Sequence, residues 1–469
     1  MARAHIPDVH ADGRWRSADE VDALARRWRA ATLDAIGDRH RVIATALPAT
    51  PEGIGLFIAL SALPVPLVLL NPDGAWPRAA FPPDTHVVLA PSLAHLADVA
   101  RQHGLKPFVL PDPSLRTDAP PLEPLSGPGL IMFTSGSTGA PKPVFRPMHR
   151  LLGGAAARAE ALGLGSGDGI IVGVTLVHGQ GMNMLLTSML LGGRLGFLPP
   201  VNHRAALATL AMPEFTCWRA TPHFADMLGR CALTGPAVAP KVCLLSSPIA
   251  NSVFETFLER FGVPLRQGYS SGETGPIAVD DRPAAAVRPG TVGRLVSRVE
   301  VCIGDHPSAP LPSGETGRVW VRSPWQSAGY GFPPDVERPD DVDGWWPTRD
   351  LGAFNEDGLL SLAGRMDDCI RTRDGRLVNL AAVADILREI DSIHGVAVVP
   401  IDGPAGASLG AVLECDSSVP ISTLRLQLSG ALPPWARPRK LAIVPSLPRL
   451  PNGKPDRQAC IAALDREGR

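Results

Sequence analysis

The sequence lacks a cysteine framework. Its seven cysteines (Cys217, Cys231, Cys243, Cys302, Cys369, Cys415 and Cys460) are odd in number, and no two stand at metal-ligand spacing. That pattern excludes a disulfide-stapled fold and a structural zinc site, and reduced thiols are expected. An excess of charge is also missing. Lys and Arg number 45 against 46 Asp and Glu, a formal net charge of −1. Nothing in that balance attracts nucleic acid or an anionic membrane globally. The N-terminal MARAHIPDVH has no apolar signal core, so a cytoplasmic location is expected. Membrane-spanning runs are absent too. IGLFIALSALPVPLVLL (residues 54–70) comes near the length, but Pro64 and Pro66 interrupt it. It reads as a short buried helix ending near Leu63, then a buried strand over 66–70, half of a β-α-β unit. No internal repeat or low-complexity tract is seen.

What is present is a chain of 469 residues, too long for one compact core, so two or more domains are expected. WRSADEVDALARRWRAATLDAI has helical periodicity with Ser17 as N-cap. RVIATAL, HVVLAP, GIIVGVTL, RLGFLPP and KVCLLSS are short apolar strands between helical stretches, the alternation of a mainly parallel α/β sheet. PDPSLRTDAPPLEPLSGPG (111–129) is a proline-rich connector. From about Thr291 the texture changes to short strands and turns, a smaller β region. From about Gly364, AAVADILREI reads as a helix, GVAVVPID and GAVLECD as strands. They form a small α+β domain that closes on PPWARPRK and a basic tail.

The segment that carries most chemistry is IMFTSGSTGAPKPV (131–144). An apolar strand runs into a loop whose small residues let backbone N–H groups approach phosphate oxygens. Thr134, Ser135, Ser137 and Thr138 add hydroxyls, Gly136 and Gly139 add freedom, and Lys142 adds a positive charge. Pro141 and Pro143 flank that lysine, so it is not the common nucleotide-triphosphate loop. In QGYSSGETG (267–275), Tyr269 offers an aromatic face and Glu273 a carboxylate suited to Mg²⁺. DGWWPTRDLG (343–352) carries an acidic residue, Asp350, in a turn-rich stretch. In LPRLPNGKPDR, the Asn452-Gly453 turn can present Lys454 outward.

These segments, with VHGQG (177–181) and GRMDDCIRTRDGRLVN (364–379), occur in one order over residues 131–457. That order resembles the adenylate-forming superfamily of acyl-CoA synthetases, peptide-synthetase adenylation domains and luciferases. The resemblance implies an α/β fold of two domains, a large acid- and ATP-binding part (1–365) and a small mobile part (366–469) that carries Lys454. It implies ATP-dependent formation of an acyl-AMP with release of pyrophosphate. Transfer to the thiol of CoA, or to the phosphopantetheine of a separate carrier protein, would follow. Thr134, Ser135, Gly136, Ser137, Thr138, Gly139 and Lys142 would hold phosphates, Tyr269 would stack on adenine, and Asp350 and Arg365 would hold ribose. Glu273 would bind Mg²⁺ and His178 would line the acyl pocket near the carboxylate. Asp367 would be the pivot, and Lys454 would reach the carboxylate and α-phosphate.

The chain departs from the family pattern at Ser270 and Gly272, where Gly and Thr are usual, and at Arg349, where Gly is usual. Around the hinge, Asp374 looks inserted, Leu380 replaces a Pro and Ala382 stands where a Glu is usual. No Phe-Asp-x-Ser segment holds an α-amino group, so an aryl or aliphatic acid without one is expected. His223, Ser246 and Ser247 are expected near its pocket. The chain ends twelve residues after Arg457, so no fused carrier domain is expected. Two alternatives stay open: a non-catalytic nucleotide-binding relative, and an adenylating enzyme whose second step is lactone formation or nitrogen chemistry.

Overall fold

The computed structural model describes the chain apart from residues 1–3, 38–39, 113–119, 135–140, 199–201, 233–239, 246–248, 340–341, 373–375, 391, 402–407, 416–419, 449–454 and 468–469; the side chains of 367, 371, 377 and 467 also lie outside the described set. The chain divides into two compact units. One comprises Met1–Glu315, Trp320–Pro347 and Phe354–Ser361, and the other Thr316–Val319, Thr348–Ala353 and Leu362–Arg469.

The large unit holds two mixed sheets. The first has nine strands in the order Arg294–Leu295, Gly275–Val279, Leu265–Ser271, Val242–Leu245, Phe215–Arg219, Gly169–Val172, Leu195–Phe197, Val9–Ala11 and Arg14–Arg16. The second has eight: Asp335–Glu337, Gly329–Phe332, Lys142–Pro147, Gly129–Thr134, Leu67–Leu70, Ile43–Ala46, His86–Leu89 and Lys106–Val109. Pairing is parallel in the middle of each sheet and antiparallel at both margins of the first; the second is antiparallel toward Asp335–Glu337 and stays parallel to its other edge at Lys106–Val109. The middle strands IATA, LVLL and GIIV are buried at every residue. Continuous apolar runs of this kind suit strands covered on both faces.

Helix Ala18–Ile36 starts where expected. Ser17 and Glu20 form a capping box, with Glu20 N donating to Ser17 Oγ at 3.2 Å and Ser17 N to Glu20 Oε2 at 2.8 Å. Helix Pro51–Ser61 is capped by Thr50 and ends before Pro64, as the interrupted apolar run implied. Helices Met148–Ala161 and Gly179–Leu191 pack on each other, and one continuous core joins their apolar residues to strands of both sheets.

Strands Glu300–Ile303, Gly317–Arg322, Trp346–Phe354 and Leu360–Arg365 form the small β region, in that order. The division between units runs along the last three. The small unit also has a three-stranded sheet of Gly395–Ile401, Ser408–Glu414 and Lys440–Val444. Its helix Leu380–Arg388 is capped by Asn379, whose Oδ1 accepts from Ala381 N at 2.9 Å and Ala382 N at 3.2 Å.

The basic tail is a correction. Residues Arg457–Glu467 form a helix with Cys460 and Leu464 buried against this sheet. Its start is fixed by Asp456, whose Oδ1 accepts from Gln458 N at 3.0 Å and Ala459 N at 3.1 Å. A cap plus apolar residues one turn apart outweighs the polar composition.

Candidate active site

Strand Gly129–Thr134 is anchored by buried Leu130 and Ile131 and pairs antiparallel with Lys142–Pro147. Thr134 lies opposite Lys142, so the intervening loop leaves and re-enters the sheet at neighbouring positions. The loop residues Ser135, Gly136, Ser137, Thr138 and Gly139 lie outside the described set.

Lys142 is exposed, and its ammonium stands 5.3 Å from the centre of the Tyr330 ring. Strand Gly329–Phe332 puts Tyr330 there by pairing it with Val144. The Tyr330 hydroxyl donates to Glu273 Oε1 at 3.0 Å. The Glu273 backbone carbonyl accepts from Ser327 N at 2.6 Å. Glu273 sits in the turn between Leu265–Ser271 and Gly275–Val279. Thr274 N donates to Ser271 Oγ there at 3.0 Å.

Gly272, one of the departures, lies close to the Thr134 side chain. A Cβ there would stand 3.0 Å from Thr134 Cγ2. The turn thus presses on the end of the phosphate-loop strand, and a threonine at 272 would require Thr134 to give way. Arg146, on the strand of Lys142, is fully buried and donates from Nη2 to Trp325 O at 2.7 Å. Burial lowers its guanidinium to about 10, opposed by the carboxylate of Glu273, so it stays charged at neutral pH.

Tyr269 is buried at 7% exposure on its strand, opposite Ala278. His178 is exposed at the N-cap position of helix Gly179–Leu191, with no side-chain capping bond. His223 lies in the first turn of helix Pro222–Arg230; Ser246 and Ser247 lie outside the described residues.

The small unit carries the other candidates. Asp350 lies in strand Trp346–Phe354, its N–H donating at 3.2 Å to Thr348 Oγ1, which in turn donates to Val319 O at 2.6 Å. Arg365 ends strand Leu360–Arg365, and its buried Nε has no hydrogen-bond partner among the described residues. Gly364 before it has φ of 122°, and a Cβ there would meet Asn379 Nδ2 at 2.2 Å. The glycine is therefore required where Asn379 ties the strand, through Ala363 O, to the following helix. Asp367 lies in the single turn Met366–Asp368. Next to it, Asp368 pairs with Arg457 at 3.0 Å, three residues beyond Lys454. Lys454 itself lies outside the described residues.

Tyr330 and Arg146 were not among the sequence candidates. A signal existed for Tyr330: the chain has two tyrosines, and the other is Tyr269.

The donor set fits Mg²⁺ in one way. Among the described residues no cluster of three or more His, Cys, Asp or Glu could cage a metal ion. A single carboxylate suits a cation that takes most of its oxygens from water and substrate phosphate. Glu273 meets that description, since its Oε1 is fixed by Tyr330 and no hydrogen bond reaches its Oε2 among the described residues.

Comparison with known proteins agrees with this architecture. The amide bond synthetase McbA from Marinactinospora thermotolerans superposes with a TM-score of 0.80 at 24% identity, over 98% of this chain and 97% of that one. The p-hydroxybenzoic acid–AMP ligase FadD22 of Mycobacterium tuberculosis is 27% identical over 440 residues, 89% of this chain. The chain spans 60% of that protein's length. An indoleacetate–CoA ligase from Aromatoleum aromaticum is 28% identical over 72% of this chain and 68% of its own length. No helix among the described residues is long and apolar enough to cross a membrane. The profile of the AMP-binding enzyme family matches residues 2–331, and the chain belongs to that family.

Proposed function

We propose that this chain activates a carboxylic acid with ATP and then transfers the acyl group to a thiol. In the first step a carboxylate oxygen attacks the α-phosphorus of ATP. The new O–P bond forms as the bond to pyrophosphate breaks, and acyl-AMP results. In the second step the thiolate of CoA, or of the phosphopantetheine of a separate carrier protein, attacks the acyl carbon and AMP leaves. The acid is aryl or aliphatic, without an α-amino group.

The observation that carries the reading is the Lys142–Tyr330–Glu273 cluster beside the phosphate-loop strand. It brings together one cation and one carboxylate, the pair that a polyphosphate and its metal ion would need. Lys142, with Thr134 to Thr138 and Gly139, would hold the phosphates by charge and by N–H and O–H donors. Glu273, steadied by Tyr330, would hold Mg²⁺, which when bound supplies neutralisation of phosphate charge. Tyr269 would meet adenine, Asp350 and Arg365 the ribose, and His178 the acid. Lys454 would offset charge as it builds on the α-phosphate. Residues 366–469 would pivot at Asp367 between the two steps.

Little covalent chemistry falls to the protein, so alignment and charge neutralisation are its work. Pyrophosphate release, screened over aryl and aliphatic acids with ATP and Mg²⁺, tests the reading. Acid-dependent release is expected, followed by thioester formation when CoA or carrier protein is added. Release that does not depend on acid would refute it.

A further inference from the structure

Among the described residues, two buried arginines of the large unit have no carboxylate to neutralise them. Arg219 ends strand Phe215–Arg219 and is 0% exposed; its Nε, Nη1 and Nη2 all lack hydrogen-bond partners. Arg158, in helix Met148–Ala161, is 5% exposed with its Nε unpartnered. Arg158 lies close enough to disfavour the charge of Arg219 further, and no carboxylate offsets either among the described residues. The group that would offset them is the Cys217 thiol, which burial pushes up to about 12, so it stays neutral. Burial lowers Arg219 well below its ordinary value and Arg158 to about 10, so Arg158 remains a cation at neutral pH and an anion beside Arg219 would favour its charged form. Unpaired buried charge is among the costliest things a core can hold. A ligand that completes it on binding is a direct explanation.

The position of Arg219 says which ligand. Its carbonyl accepts from Gly173 N at 2.7 Å, so its end of the strand abuts the loop that runs from Gly169–Val172 to His178. Helix Gly179–Leu191 starts at that loop and packs on strand Gly169–Val172 and on the helix of Arg158. Two further orphaned polar atoms belong to these same elements. One is Asn183 Oδ1, in the second turn of the helix, and the other is Trp218 Nε1, beside Gly173.

We propose that Arg219, backed by Arg158, is an anion-receiving floor beneath the acid-binding end of the site, and that the acid substrate carries a second carboxylate that docks there. The proposal rests on the adenylating reading for the fate of the first carboxylate. A monoacid leaves both guanidinium groups unpaired. A dicarboxylic acid pairs them through the two-pronged hydrogen bonding that a guanidinium offers a carboxylate.

The test compares diacids with monoacids of matched skeleton: succinate with butyrate, glutarate with valerate, terephthalate with benzoate. Wild-type enzyme is expected to favour the diacid of a matched pair by about 10- to 100-fold in kcat/KM for pyrophosphate release, the scale of one hydrogen bond to a charged group. Arg219→Met keeps stem length and removes charge. It is expected to lower diacid use by about that factor, so that the two classes come out alike. Arg219→Lys and Arg158→Met are expected to fall between, and they carry the comparison should Arg219→Met fail to fold. Binding is read separately by calorimetry with each acid alone. Diacid binding that depends on Arg219 without pyrophosphate release supports this inference and defeats the adenylating reading. Acid-dependent release with no diacid preference, or with the same preference in Arg219→Met, overturns the inference and leaves adenylation standing.

Discussion

At the scale of single residues, Glu273 and Tyr330 make the sharpest claim. Tyr330 fixes one carboxylate oxygen of Glu273 and lends its ring to Lys142. Glu273→Gln keeps size and removes charge. The Mg²⁺ concentration for half-maximal adenylation is expected to rise about tenfold, the scale of one charge-assisted interaction. Tyr330→Phe keeps the ring over Lys142 and deletes one neutral donor. Its rise is expected to be smaller, about fivefold. Mg²⁺ titrations of both variants check this, and dependence identical to wild type in Glu273→Gln would remove that residue from the metal site. Lys142 and Glu273 were legible in the sequence because each lies inside a contiguous motif. Tyr330 was not, because its place depends on strand Gly329–Phe332 pairing back onto Lys142–Pro147, some 180 residues away in the chain. Arg219 was hidden for a similar reason. An arginine closing an apolar strand, FTCWR, carries no sign in sequence that its guanidinium is sealed from acid partners.

At the scale of elements, short apolar strands and capped helices were readable and strand direction was less so. IATA, LVLL and GIIV announce buried strands by composition. Nothing in KPVFRP says that it turns back antiparallel on Gly129–Thr134. The C-terminal helix was missed because polar composition masked the Asp456 cap and the apolar pair Cys460 and Leu464. Strand Val9–Ala11 carries a pH liability of its own. His10 is 4% exposed, its Nδ1 has no partner, and its ring lies against Trp15 and Phe215. Burial lowers its pKa below 6.5, opposed by Glu214 and Asp12. Below that value the unfolded chain therefore binds more protons than the folded one, so stability is lost as pH falls from 6.5 toward the folded pKa. His86, lowered chiefly by burial, adds in the same direction. Melting temperature is expected to drop between pH 7 and pH 5, and His10→Phe is expected to flatten part of that drop. An equal slope in the variant would clear His10 of the effect.

At the scale of the whole molecule, the account needs a small unit that serves two steps in turn. The turn Met366–Asp368 tests this through the backbone alone. Proline at 367 restricts φ there and steers Met366 out of the helical region. Asp367→Pro should trap one state of a pivot that must reach two. In single-turnover assays on a variant with the melting temperature of wild type, acyl-AMP formation is expected to persist while acyl transfer collapses. Equal loss in both steps, or in neither, would count against a swing about Asp367. The two-part organisation was legible because the motifs keep one order from residue 131 to 457. The identity of the acid was not, since pocket residues come from elements far apart in sequence.

The measurement that bears most directly on the central claim is the pair of half-reactions in Lys454→Ala. Lys454 follows Asn452 and Gly453 in the sequence and is assigned to adenylation alone. The account predicts that acyl-AMP formation from acid and ATP falls by roughly 10²–10³, the scale of losing one transition-state donor. Thioester formation from synthetic acyl-AMP should continue at the wild-type rate. An unchanged rate of acyl-AMP formation in Lys454→Ala would contradict it.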